Sequence, residues 1–221
     1  RKPENIINEI KDIIAEGKYK KITLLGQNVN SYGKDLQVPM NFASLLRKIC
    51  KLDGDFKVSF MTSHPKDLTD EVIDAVAEEE KIEKYIHLPA QSGNNRVLAL
   101  MNRRYTREKY LDIIRKIREK IPNCRITSDF IVGFPTETEE DMRAIPELAN
   151  QIAALYYETV PKQERNGKCQ ITMSTSFFVP KPFTPFQWAK MEDKDEYLRR
   201  AKIVNDHMKE QLNHKSLRYN W

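Results

Sequence analysis

The sequence predicts an α/β fold built on parallel strands. Three observations carry that reading. Short apolar runs alternate with stretches of helical periodicity, at a spacing that leaves room for right-handed crossovers between strands. Each apolar run ends in a loop of small, polar or proline residues. The chain has 221 residues, 40% hydrophobic and 31% charged, enough for one such domain with a real core and too few for two large ones. A doubly wound sheet and a (β/α) barrel both satisfy the pattern, and both bind ligands at the carboxyl ends of their strands.

The elements follow in order. Ile6, Ile7, Ile10, Ile13 and Ile14 fall at helical spacing over residues 4–16, and Gly17 is a stop signal. Lys21–Leu25 reads as a strand ending at Gly26. Residues 41–51 form a helix capped by Asn41, with Phe42, Leu45, Leu46 and Ile49 on one face. Phe56–Met61 is the second strand, and an acidic helix capped by Thr69 covers 69–79. Lys84–Leu88 is the third strand; helices follow over 94–101 and 106–120, the latter with Tyr110, Ile113, Ile114 and Ile117 inward. Arg125–Val132 is the fourth strand, 138–153 a helix, and 158–170 a polar connection with the turn dipeptide Asn166-Gly167. Ile171–Val179 is the fifth strand, and the proline-rich segment 180–185 leads to a charged helix over roughly 192–213. Residues 1–191 thus read as the strand–helix domain and 192–221 as a closing helical segment packed on it. An open edge on Lys21–Leu25 calls for a partner chain or a second copy to cover it.

Composition narrows the class. No apolar run approaches ~18 residues, so no membrane span is expected, and no charged-then-apolar leader opens the chain. Mean hydropathy is −0.65. Net charge is +5, too mild by itself to imply nucleic acid. The three cysteines, Cys50, Cys124 and Cys169, are scattered, with no CxxC or CxxxCxxC spacing. That count fits a reducing cytoplasm rather than a disulfide scaffold, and offers neither a zinc nor an iron–sulfur motif.

Four strand-end loops carry the candidate chemistry: Gly26–Gly33, Thr62–Pro65, His87–Gly93 and Asp129–Glu137. Each sets amide, hydroxyl or carboxylate groups beside a glycine or proline, which suits a polar ligand; ordinary turns use the same residues. None is a phosphate motif, since GxxxxGK[ST] and GxGxxG are both absent. His64 and His87 sit at successive strand ends, where a hydrogen-bonded structural histidine is the plainer reading than a ligand. His207 and His214 read as solvated on a charged helix. From Arg96 to Arg125 there are ten Lys and Arg against three Asp and Glu, a local +7. That run is either a solvated helix face or a phosphate-binding face for RNA.

Taken together, ITLLGQNVNSYG (22–33), TSHP (62–65), HLPAQSG (87–93), MNRRYT (101–106) and DFIVGFPTETEED (129–141) resemble the radical-SAM methylthiotransferases, and among them those acting on a tRNA adenosine. The resemblance covers residues 1 to about 141. It implies a partial parallel (β/α) barrel with S-adenosylmethionine across the strand ends and tRNA as partner, reached through the Arg96–Arg125 region. It further implies contacts to S-adenosylmethionine from Gln27, Asn28, Ser63, Gln91, Ser92, Arg104 and Asp129, with Gly133 allowing close backbone approach. His64 and His87 fall in matching motifs without an implied role.

Two departures accompany it. The family's CxxxCxxC loop, which holds a 4Fe–4S cluster, belongs just ahead of Arg1-Lys2-Pro3 and is absent with the first barrel strand. The expectation is a chain inactive by itself, with no metal ligand of its own. From about Arg143, most clearly at SFFVPKPFTPFQW (176–188), the chain resembles instead an uncharacterised radical-SAM family that often carries a cobalamin-binding-type domain, which leaves two readings: a hybrid of two barrels, or one natural family with mixed motifs. Two other classes stay open: a non-catalytic barrel module binding S-adenosylmethionine or RNA, and an ordinary (β/α) barrel enzyme acting through Asp129, Glu137 and the histidines.

Overall fold

A computed structural model describes residues 1–37, 40–61 and 63–221. The chain is α/β with parallel strands, as expected, and forms two compact units: residues 1–88 with 116–126, and residues 89–115 with 127–221.

In the first unit, α1 (Pro3–Ala15) starts with Pro3 in its first turn, where the missing N–H costs nothing. Only Ile10 of its isoleucine stripe is deeply buried, at 3% exposure. Strand β1 (Lys21–Leu24) pairs in parallel with β2 (Lys57–Phe60), Ile22 opposite Val58. Among the described residues no strand pairs with the other edge of β1. The crossover is α2 (Phe42–Cys50), where Asn41 caps the helix by accepting the Ser44 N–H at 2.8 Å. Its buried face meets β2 through an edge-on contact of Phe42 with Phe60 at 5.2 Å. Helix α3 (Asp70–Glu78) follows β2; Thr69 precedes it but makes no side-chain cap. Strand β3 (Tyr85–His87) ends this half of the chain.

Helices α4 (Asn95–Leu100) and α5 (Arg107–Lys120) lead to β4 (Arg125–Val132); α4, α5 as far as Arg115 and β4 from Thr127 onward belong to the second unit. Strand β4 pairs in parallel with β5 (Ile171–Phe177), Phe130 opposite Thr175. Between them α6 (Glu139–Thr159) runs six residues beyond the expected end at 153, because Leu155 and Tyr156 continue its buried face. Its start is a capping box: Thr138 Oγ1 accepts the Asp141 N–H, and the Asp141 carboxylate accepts the Thr138 N–H at 2.8 Å.

The tail departs from the sequence reading. The charged helix α7 (Lys194–Glu210) is shorter than expected, and after one 3-10 turn the chain adds a strand, β6 (Leu217–Asn220), parallel to β5. Four residues with one buried apolar side chain, Leu217, are too little pattern for a sequence to announce a strand.

Candidate functional site

In the second unit the chemistry sits where β4 ends. Gly133 follows the strand at φ +83°, and a Cβ there would lie 2.9 Å from the Tyr197 ring, so the position excludes a side chain on two grounds. Its N–H donates to Glu137 Oε2 at 2.6 Å. Glu137 is 7% exposed, and its Oε1 is buried with no hydrogen-bond partner. Arg200 Nη1 stands 3.7 Å from Glu137 Oε2, while Nε donates to Glu196 at 2.7 Å. Burial pushes the Glu137 carboxyl up to about 7, against the opposing pull of Gly133 and Arg200.

The 87–93 loop is laced to this strand end. Gln91, at φ +68°, donates its N–H to the Asp129 carbonyl and accepts the Ile131 N–H, both at 2.9 Å. Ser128 Oγ accepts the Ala90 N–H at 2.9 Å, and the Tyr105 hydroxyl donates to the Ala90 carbonyl at 2.7 Å. Ser92 is buried, its Oγ accepting the Asn94 N–H at 3.2 Å. Asp129 is exposed. Gln91 and Asp129 are therefore neighbours through their backbones. Arg104 lies on the exposed turn after α4 at φ +57°, reaching only Asn102 at 3.4 Å.

The first unit holds the other predicted contacts. Gln27 is exposed. Asn28 Nδ2 donates to Asp67 Oδ2 at 2.6 Å, leaving its buried Oδ1 without a partner. Ser63 is 3% exposed, and its Oγ also lacks a partner among the described residues; Thr62 lies outside them. Burial raises the Asp67 carboxyl, but the bonds from Lys34 and Asn28 outweigh it and hold it below its ordinary value. His64 is a turn residue: its Nδ1 accepts the Lys66 N–H at 3.2 Å, and its carbonyl accepts those of Asp67 and Leu68. Sequence reasoning passed over Asn30, whose amide is buried and unpartnered, and Asp67. No local signal marked them: both gain their standing from burial beside Val29 and Leu68, which the fold creates.

A polar ligand suits these groups; an iron–sulfur cluster does not suit the cysteines. Cys50, Cys124 and Cys169 are all buried. Burial pushes the Cys50 and Cys124 thiols up to about 11, far from thiolate ligands. Among the described residues no group of His, Cys, Asp and Glu could hold a metal ion. No helix among them is long and apolar enough to cross a membrane. A groove of about 740 Å³ runs along α1 and β1; Ile6, Ile10 and Ile13 of α1 line one part of it, and Asn28, Ser31 and Lys34, on and just after the 26–33 loop, line another.

The basic run is heavily engaged. Arg96 pairs with Asp141, Lys116 with Asp70 and Lys120 with Asp74. Arg107 binds Gln151 at 2.9 Å, and Arg118 caps the Pro122 and Cys124 carbonyls. His207, expected to be solvated, is instead held between Glu210 at 2.7 Å and Glu147 at 3.2 Å.

Comparison with known proteins bears on the family. Residues 1–149 match the model of the Radical SAM superfamily. Over 152 residues, 69% of the chain, it is 56% identical to a tRNA-2-methylthio-N(6)-dimethylallyladenosine synthase of Clostridium botulinum strain Okra. It is 55% identical over the same length to the proteins of that name from Desulforamulus reducens and Clostridium tetani. The chain spans about a third of the length of these relatives, 33–34%. Among solved structures, Streptococcus suis SuiB shares the fold at a TM-score of 0.58 and 12% identity, covering 100% of this chain and 43% of that one. A superfamily match over residues 1–149, on a chain of parallel strands with polar strand-end loops, places this protein in the radical SAM superfamily.

Proposed function

We propose that the chain binds S-adenosylmethionine at its strand-end loops and forms the radical-SAM core of a cytoplasmic tRNA-adenosine methylthiotransferase. The observation that carries the reading is the pairing of Gln91 with the β4 backbone beside Gly133. It commits the main-chain polar groups of Gln91 to the strand and leaves its side-chain amide for a ligand. Next to it, the exposed Asp129 carboxylate suits a ribose diol or an ammonium group, while the Tyr197 ring fills the space beside Gly133 that a side chain would take. Following the resemblance, Gln27, Asn28, Ser63, Ser92 and Arg104 are proposed as further contacts; in the first unit, Ser63 Oγ and Asn28 Oδ1 are buried oxygens without a partner among the described residues.

When bound, S-adenosylmethionine and a 4Fe–4S cluster supply the radical chemistry of the family, and the protein binds and orients. The cysteines of this chain do not fit the cluster, so its residues are assigned binding and positioning, and no turnover is expected from it by itself. The printed name of the relatives supports a dimethylallylated adenosine in tRNA as the substrate.

Calorimetry with S-adenosylmethionine tests the proposal. One site per chain is expected, weakened about tenfold, or about 1.4 kcal/mol, by Asp129→Ala or Gln91→Ala. Absence of binding, or binding indifferent to both substitutions, overturns it. A second reading, an RNA-binding module without the cofactor, is favoured by the local +7 of residues 96–125. Salt-dependent tRNA binding weakened by Arg104→Ala, in a chain that ignores S-adenosylmethionine, would select it.

A further inference from the structure

A second, smaller cavity of about 340 Å³ in the first unit carries an inference beyond the proposed S-adenosylmethionine contacts. Its wall includes Asn30, Lys34, Asn41, Lys66, Asp67 and Thr69. Four features bear on its occupant.

Asn30 is 7% exposed, and among the described residues neither its buried Nδ2 nor its buried Oδ1 has a hydrogen-bond partner. Leaving a donor and an acceptor unpaired together is costly, so the amide calls for a group that both accepts and donates. The cavity also lies at the amino ends of two nine-residue helices: Asn41 and Phe42 begin α2, and Thr69 precedes α3 with its hydroxyl not used as a cap. Helix amino ends favour anions.

Lys34 pairs with Asp67, and Asn41 Nδ2 donates to Glu71, on the first turn of α3, at 2.6 Å. The exposed Lys66 adds a second cation to the wall. Finally, the wall is fixed by close backbone packing. Gly33 sits at φ +95°, where a Cβ would lie 1.7 Å from the Met40 carbonyl oxygen.

A phosphodiester satisfies Lys66 and the helix ends but can only accept from Asn30. A ribose hydroxyl both donates and accepts, and satisfies both ends of the Asn30 amide. We propose that this cavity is a ribose-phosphate site, Lys66 and the amino ends of α2 and α3 taking the phosphate and Asn30 taking the adjoining sugar hydroxyl. None of the residues proposed for S-adenosylmethionine lines this cavity, and Asn28 meets it through Asp67.

Calorimetry on the full chain with inorganic phosphate, ribose 5-phosphate and a short single-stranded oligoribonucleotide tests it. Ribose 5-phosphate or the oligonucleotide is expected to bind at least tenfold more tightly than phosphate, and whichever does so identifies a monoester or a diester source. Lys66→Gln is expected to weaken every probe about tenfold. Asn30→Leu is expected to abolish the preference for the sugar while leaving the melting temperature unchanged or higher, since it removes an unpaired buried amide. A merely structural Asn30 would lower it. Saturating S-adenosylmethionine is expected to leave these affinities unchanged. No sugar preference in the unaltered chain, displacement by S-adenosylmethionine, or indifference to both substitutions overturns the proposal.

Discussion

Glu137 Oε2 accepts a 2.6 Å hydrogen bond from the Gly133 N–H, tying the turn after β4 to a carboxylate buried ahead of α6. Its folded-state value of about 7 lies above the ordinary 4.5, because burial outweighs Gly133 and Arg200. Between those values the folded protein keeps a proton that the unfolded chain has lost. Stability from this group is therefore fully present below about pH 4.5 and lost as pH rises to about 7, a loss of about 3 kcal/mol. Glu137→Gln removes that dependence. Denaturant melts at pH 5 and pH 8 should show the variant gaining on the parent at the higher pH; a constant difference would reject the assignment.

Asp141, four residues on, behaves with the opposite sign. Burial raises it, but the Thr138 N–H, the Arg96 guanidinium and the Thr138 hydroxyl outweigh burial and hold it below its ordinary 3.8. Its contribution is present above that value and disappears as pH falls through the folded-state value. Asp141→Asn is expected to cost about 2 kcal/mol at pH 7 through the lost cap and ion pair. The cost should shrink in acid, which melts at pH 7 and pH 3 would read.

Tyr197 links α7 to both strand ends. Its hydroxyl donates to the Phe178 carbonyl at 2.6 Å, and its ring stacks on Phe177 at 4.3 Å. Tyr197→Phe loses one hydrogen bond and should cost about 1 kcal/mol. Tyr197→Ala also opens a cavity beneath Gly133 and should cost about 4 kcal/mol. Equal costs in urea unfolding would mean that the ring is not packed as described.

Local patterns made most elements legible. The period of Phe42, Leu45, Leu46 and Ile49, with Asn41 ahead of them, specifies α2 almost to its ends, because cap and stripe are both encoded within ten residues. Strand β6 was not legible, because its place depends on pairing with β5, more than forty residues earlier in sequence. The strand-end loops were legible as motifs, yet the partnerless oxygens of Ser63 and Asn28 and the raised Glu137 arise from burial, which no short window displays. His207 was misjudged for the same reason: Glu147, its second partner, comes from α6.

Gly93 closes the loop that carries Gln91 and Ser92, and it lies against the backbone of α6. A Cβ there would fall 2.1 Å from the Ala144 carbonyl oxygen and 2.8 Å from the Ile145 nitrogen. Neither is the end of a flexible side chain, so relief requires moving the loop or the helix. Gly93→Ala should cost about 3 kcal/mol, the upper range of overpacking. Gly167→Ala is the natural comparison. Gly167 adopts φ +92° with nothing within 4 Å of a built Cβ, so only backbone strain of about 1 kcal/mol applies. The two variants should differ in a second respect as well. Displacing the 87–93 loop should weaken S-adenosylmethionine binding in Gly93→Ala and leave it intact in Gly167→Ala. Paired unfolding and calorimetry would decide, and equal effects in both would mean that Gly93 does not set the loop against α6.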